Sequence, residues 1–368
     1  MKINDWYDLL VIIYVLGSIL YLLTFRINRT AAANAVMSLF IFAILIFTMS
    51  RPVEVGTDTQ MYSNVFSVYA TGIPYDEILV QQQVNYFFYL IGRLSASIDN
   101  NFNIFLLFVS GIFLYTTYRA FKLIFESNWH LPFFIFSSTF IYYSFLFNLI
   151  RNSIIVGGAF LALYLIFYNP TKRRRLFGGL TLILLFFIHS SAGFLAVGIV
   201  GASFLKSERT ALICWFLTLG LSITGIDLFK TIQALVLQLF PASTLAYKTG
   251  VYRYVSKESG FRIDFVLFTL FFGLIGYFIS INWKNPFYLA IVKWYLIQGS
   301  IFMLFFSFPY VDRIAAMAWI GLPLLVGYPT IYWKVLHPYK MQIAFLTFLF
   351  GLLNLIFVAR YDFHLDLF

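Results

Sequence analysis

Twelve apolar stretches recur from one end of the sequence to the other, near 9–25, 31–49, 102–118, 131–149, 152–168, 176–189, 192–205, 211–225, 264–281, 287–306, 314–331 and 341–358. Mostly short polar turns separate them. A crossing helix needs about 20 apolar residues, so twelve of them use about two thirds of a 368-residue chain. Only 11% of the residues are charged and 61% are hydrophobic, against about 25% and 45–50% in soluble domains. The solvent of this chain is lipid. The expected fold is an all-α polytopic membrane protein, with 1–368 forming a single integral membrane domain. No length remains for a separate soluble catalytic domain, so any chemistry belongs to loops and helix ends.

Several stretches are shorter than a full crossing, which suggests ends that sink into a funnel. Val84–Ile98 is also short and carries Arg93 in its middle, so it reads as a re-entrant or interfacial helix. The first stretch is not a secretory signal. Asp5 and Asp8 precede it, and Arg26 and Arg29 separate it from Ala31-Ala32-Ala33, the reverse of the charge order a signal needs. The single cysteine, Cys214, lies inside an apolar run and makes no disulfide within the chain.

The net charge of +10 reports topology rather than affinity for nucleic acid. Basic residues collect on cytoplasmic loops. With the amino terminus outside, the inner turns hold 13 basic residues, Lys172-Arg173-Arg174-Arg175 the strongest cluster, against the two acids Glu126 and Glu208. The other 13 acids face outward. Treating Val84–Ile98 as a full crossing gives thirteen spans and reverses only the first two helices. Two long segments, 50–101 and 226–263, then lie outside, and this asymmetry places the working face there.

Four outer clusters carry the unusual chemistry. Arg51-Pro52-Val53-Glu54-Val55-Gly56-Thr57-Asp58-Thr59 is a turn followed by a helix start, with Asp58 or Thr59 suited to capping it. The same Asp58 could take a proton or orient a sugar hydroxyl, with Arg51 near an anionic group. Arg151 lies between two apolar runs joined by almost no loop. A cation there snorkels, pairs or faces water, and a planar guanidinium suits phosphate oxygens. His189 ends a span before Ser190-Ser191-Ala192; it fits a hydrogen-bonded packing role, or a base or phosphate contact. Asp312-Arg313 fits an ion pair at a helix start, with Arg313 able to turn toward the same anion. In 226–263, Leu228–Phe240 reads as an interfacial helix ended by Pro241. Tyr252 and Arg253 follow, suited to sugar stacking and phosphate, or to a headgroup tyrosine belt.

The sequence has no Walker A loop, GxGxxG, HExxH, Asp-x-Asp or metal-type Cys/His cluster. An enzyme of this make-up needs a donor already activated in the membrane and arginines on its leaving group. A polyprenyl diphosphate-linked sugar meets both needs.

Gly56-Thr57-Asp58-Thr59 with Tyr62 and Phe66 resembles the signature of the EpsG-like, Wzy-type polysaccharide polymerases. Asn148-Leu149-Ile150-Arg151-Asn152 and His189-Ser190-Ser191-Ala192 resemble two further elements of that family, and Asp312-Arg313 stands where the family often has an arginine before a late span. Relatives often carry an acid before the re-entrant segment; here Gln81-Gln82-Gln83 stand instead, after Asp76 and Glu77. The base is therefore expected at Asp58 or His189. The resemblance implies a GT-C-like architecture in the bacterial inner membrane. It implies no cofactor, and transfer of a growing glycan from undecaprenyl diphosphate to a lipid-linked repeat unit at the periplasmic face. Arg51, Arg151, Arg253 and Arg313 are assigned to the diphosphate, and Tyr62 and Tyr252 to sugars. Membrane lipid and a chain-length regulator are the other expected partners. A transporter or flippase of lipid-linked glycans, an O-antigen ligase-type transferase and a non-catalytic export partner are the alternatives.

The topology makes a direct prediction. In a Cys214→Ser background, single cysteines replacing Asp58, Arg151 or His189 react with an impermeant maleimide applied from outside. A cysteine replacing Arg173 reacts only after the membrane is opened. Labelling of His189 and Arg173 from the same side overturns the assignment.

Overall fold

The computed structural model of the chain describes residues 2–27, 29–73, 86–226, 231, 261–306 and 311–363. Among the described residues all regular structure is helical. Polar residues between the apolar runs stop and start the helices. Asn101, Thr139, Thr171, Ser207 and Asn285 each accept a backbone N–H at a helix start, and Pro286 occupies the first turn after Asn285, as helix termini require.

Among the described residues, eight helices are long and apolar enough to cross a bilayer, or nine if one bent pair counts as a single span. This is fewer than the twelve expected, for two physical reasons. The 131–149 stretch is broken into two eight-residue helices that meet at 77°. The helices in 176–189, 192–205 and 211–225 have 17, 13 and 16 residues, only about 20–26 Å at 1.5 Å per residue. Large apolar side chains such as Leu16, Leu39, Ile183, Phe187 and Phe204 lie exposed on helix faces, which suits lipid and not water.

The described helices gather into two compact units. The first, 1–192 and 326–368, contains α1 (Ile3–Arg26), α2 (Thr30–Ser50), α3 (Thr59–Ala70), α4 (Tyr86–Ile98), α5 (Phe102–Phe125), α6 (His130–Ser137), α7 (Phe140–Phe147), α8 (Ile150–Phe167) and α9 (Lys172–Ile188). At its centre α8 packs against α5 on one side and α9 on the other. The adjacent Gly157 and Gly158 permit this. A Cβ on Gly157 would meet the Thr116 carbonyl carbon of α5 at 2.5 Å, and one on Gly158 would meet a Leu185 methyl of α9 at 2.5 Å. Small residues let membrane helices approach closely where no aqueous hydrophobic effect drives them together. Near the start of α9, Arg174 lies over the Tyr164 and Tyr168 rings at 4.7 and 5.8 Å, so this member of the basic cluster is seated on aromatic faces.

The break between α6 and α7 falls at Ser138-Thr139, and distant side chains satisfy the polar groups it frees. Tyr14 Oη of α1 donates to Ser138 Oγ at 2.9 Å, and Asn354 Nδ2 donates to the Ser138 carbonyl at 3.0 Å. The described part of α4 has 13 residues and is about 20 Å long. It rests on α3 and α5 through Tyr69–Tyr89 and Phe88–Phe105 ring contacts at 5.5 and 5.1 Å. Arg93, the residue that made this segment unlike a span, donates to the Tyr69 carbonyl at 3.0 Å and so closes the carboxyl end of α3.

The second unit, 193–325, contains α10 (Ala192–Phe204), α11 (Glu208–Ile223), α12 (Ile263–Asn282), α13 (Pro286–Leu304), α14 (Val311–Trp319) and the start of α15 (Leu322–Tyr332); α16 (Lys340–Asp362) belongs to the first. Here α13 is central, packed by α11, α12 and α14. Its Gln298 is fully buried and donates to the Phe194 carbonyl at 2.9 Å. Lys293 donates to the Leu205 carbonyl at 3.0 Å, taking its charge to the carboxyl end of α10, where the helix dipole favours it.

Two glycine substitutions separate packing from propensity. Gly157→Ala is expected to lower stability by about 1–3 kcal/mol through overpacking. Gly111→Ala, in α5 with nothing within 4 Å of its added methyl, is expected to be neutral or to stabilise by up to about 1 kcal/mol. Melting curves of the two detergent-solubilised variants check the contrast.

Candidate functional site

The first motif begins where α2 ends. Arg51 follows the last residue of α2 and is 2% exposed. Its Nη1 donates to the Leu146 carbonyl, and its Nη2 reaches Thr59 Oγ1 at 3.3 Å and the Phe147 carbonyl at 3.5 Å. The guanidinium carbon also lies 5.1 Å from the Phe147 ring centroid. Thr57 N–H donates to Asn148 Oδ1 at 2.6 Å. Gly56 has φ of 100°, and a Cβ there would lie 2.6 Å from the Phe147 carbonyl oxygen, so the turn needs glycine both for its backbone and for the close approach. The loop is thus moulded onto the carboxyl end of α7, whose last carbonyls have no partner within their own helix.

Asp58 occupies the position before α3, as the sequence suggested, but its side chain makes no capping bond. The Thr59 hydroxyl instead lies 2.8 Å from the Val55 carbonyl and 3.2 Å from that of Phe147. The Asp58 carboxyl is half-buried. Tyr62, one turn into α3, is 3% exposed and packs against Phe88 at 5.6 Å.

Arg151 is the second residue of α8. Its Nε donates to Tyr62 Oη at 3.3 Å, and its guanidinium lies 5.8 Å from the Tyr62 ring centroid. Asp58 lies within electrostatic range of it. A cation at a helix amino terminus works against the dipole. Side chain and backbone N–H groups there favour an anion together. Asn152, the next residue, is 3% exposed, and its amide lies 3.1 Å from Ser191 Oγ. Ser191 in turn holds His189, with Oγ 2.7 Å from the ring Nδ1 and its backbone N–H donating to Nδ1 at 3.2 Å. His189 itself closes α9 in an extended conformation and is half-buried.

Three motifs, with Arg51 and His189 138 residues apart, therefore meet at one end of the first unit. The carboxyl ends of α2 and α9 and the amino ends of α3 and α8 come together there. Arg51, Asp58, Tyr62, Arg151 and His189 are all part of it. Arg51 is buried against the end of α7, where its two Nη groups meet the Leu146 and Phe147 carbonyls and the Thr59 hydroxyl and so hold the loop in place. Arg313 belongs to the second unit, half-buried in the first turn of α14 beside the exposed Asp312. Tyr252, Arg253, Asp76, Glu77, Gln81–Gln83 and Leu228–Phe240 lie outside the described residues. Asn148, Asn152 and Ser191 stood in the motifs without an assigned role. Their signal was polarity at the ends of apolar runs. Among the described residues no group of three or more His, Cys, Asp or Glu side chains is placed to hold a metal.

Comparison with curated proteins and with solved structures finds no match. The model of the EpsG family matches residues 35–365, a range that contains every motif of the cluster. The chain therefore belongs to the EpsG family, a polysaccharide polymerase-like family, as a polytopic all-helical membrane protein.

Proposed function

We propose that the chain is a polysaccharide polymerase of Wzy type, working at the outer, periplasmic face of the bacterial inner membrane. It transfers a growing glycan from undecaprenyl diphosphate to the terminal sugar of a lipid-linked repeat unit. The observation that carries this reading is Arg151, held at the amino end of α8 by Tyr62 of the glycine-rich motif with Asp58 in range. In this reading α10, α11 and α9 complete the twelve crossings of a GT-C-like architecture despite their length.

Arg151 takes the diphosphate, where a fork of N–H groups and the first turn of α8 stabilise charge as it grows on the leaving oxygen. Arg253 and Arg313 are proposed as its further cations, and cationic side chains do the work that a metal does in other transferases. Asp58 or His189 takes the proton of the acceptor hydroxyl. The freed oxygen bonds to the anomeric carbon while the bond to the diphosphate breaks, and undecaprenyl diphosphate leaves with the electron pair. Tyr62 holds Arg151 in place and offers an edge to the sugar, and Tyr252 is proposed as a second sugar contact. A chain-length regulator would act on this centre from outside the chain.

The two arginines give a test. Arg151→Lys keeps charge but loses the fork, so polymer yield in a strain lacking the native gene falls at least about tenfold while protein level and melting temperature hold. Arg51→Met strips the α7 carbonyls of their donor, costing about 1–3 kcal/mol, and so lowers melting temperature and membrane level. Full-length polymer from Arg151→Ala overturns the diphosphate assignment.

A further inference from the structure

The end of the first unit away from the motif cluster carries positive charge with little to balance it. The 18 residues of α8 lead from Arg151 to this far end, about 27 Å off. Beside it α5 runs in the same direction, with Thr116 against Gly157 and Phe121 against Phe160, and α9 starts here, with Gly178 against Ile166. Arg119 and Lys122 of α5 and Lys172, Arg173, Arg174 and Arg175 of α9 stand on these helix ends. Glu126 is the only acid on the same stretches, 118–128 and 164–176. Among the described residues none of the six cations makes an ion pair. Four cations on the first turn of one helix repel one another and oppose its dipole, and no acid shares that turn. An anion supplied from outside the chain would offset both costs.

The surroundings select the kind of anion. Lys172, Arg173 and Arg175 are exposed, while Arg174 is held over the Tyr164 and Tyr168 rings, which fixes the turn that carries them. Residues four apart share one face of a helix. Leu176, Leu180 and Leu184 therefore continue the line that starts at Lys172. Phe177 lies one turn below Arg173, its ring centroid 5.6 Å from the guanidinium carbon. These four apolar side chains are 47–62% exposed. Free phosphate, a nucleic acid or an acidic peptide would answer the cations and leave the apolar line bare. A charged lipid answers both. We propose that the start of α9 binds an acidic glycerophospholipid, with its phosphate on Lys172 and Arg173 and its acyl chains along Leu176, Phe177, Leu180 and Leu184. Guanidinium and ammonium groups both donate to phosphate oxygens, and each cation near an anionic headgroup adds several-fold to affinity. This surface is remote from the Arg151 cluster and is independent of the polymerase reading.

Native mass spectrometry of the full-length chain in detergent reads bound lipid directly. Phosphatidylglycerol is expected to bind at least about tenfold more tightly than phosphatidylcholine, to weaken as salt rises, and to stay bound in millimolar inorganic phosphate. Lys172→Gln combined with Arg173→Gln is expected to cost about tenfold in phosphatidylglycerol affinity. Arg119→Gln combined with Lys122→Gln removes the same charge from the same end and is expected to cost less than about twofold, because those cations are not on the α9 line. Equal binding of the two lipids overturns the proposal. So does displacement of phosphatidylglycerol by phosphate, or a pair of double variants that do not differ. All four substituted side chains are exposed, so both variants are expected to melt with the parent. If the α9 double variant melts early, Arg173→Gln alone replaces it, with about a threefold loss expected, and an unchanged affinity overturns the site.

Discussion

The site depends on how the end of α7 is satisfied. A helix that stops inside a membrane protein leaves carbonyls with no water to receive, and each costs several kcal/mol if left bare. Here α7 ends at Phe147 and α8 starts at Ile150, with only two residues between them. The Leu146 and Phe147 carbonyls are met by Arg51, and the Asn148 side chain accepts the Thr57 N–H. The glycine-rich loop exists in its observed shape because it answers this demand. Asp58 and Tyr62 are carried into place by it, and Arg151 meets Tyr62 as a result.

Much of the membrane architecture was legible in the sequence, because span-forming runs differ from their neighbours by the coarse property of apolarity. Eight of the twelve stretches form helices of crossing length. What the pattern could not show was where a run breaks or stops short. The 131–149 stretch is apolar throughout, and only Ser138-Thr139 hints at an interruption. The bend is held by Tyr14 and Asn354, more than 120 and 200 residues away, and no local reading contains such partners. Arg93 shows the converse. Its charge set the segment apart from the other apolar runs, while its bond to the Tyr69 carbonyl became visible only in the structure.

The site was legible as a set of motifs and not as a division of labour. Arg51 and Arg151 look alike in sequence, each a lone cation at the edge of an apolar run. Their partners separate them: Arg51 meets the Leu146 and Phe147 carbonyls, about 95 residues along the chain, and Arg151 meets Tyr62. His189 was an ambiguous residue because a lone histidine permits opposite roles. In the structure its Nδ1 is held by the hydroxyl and the main-chain N–H of Ser191. Asn152 was read as motif context, yet it is the link between the two cationic and neutral halves of the cluster.

The helix α9 joins two fixed points, the aromatic seat of Arg174 and the Ser191 contact of His189. Its 17 residues measure about 26 Å, whereas a bilayer's hydrocarbon layer is about 30 Å thick. A strut of that length with one end at a headgroup layer would leave its other tip several ångströms beneath the opposite surface. On the polymerase reading proposed above, sugars would have to dip to meet it, while a polyprenol could slide in sideways without leaving the oil. A thicker bilayer would bury the tip deeper still, which makes the lipid composition around the protein a determinant of how easily hydrophilic chains reach the histidine.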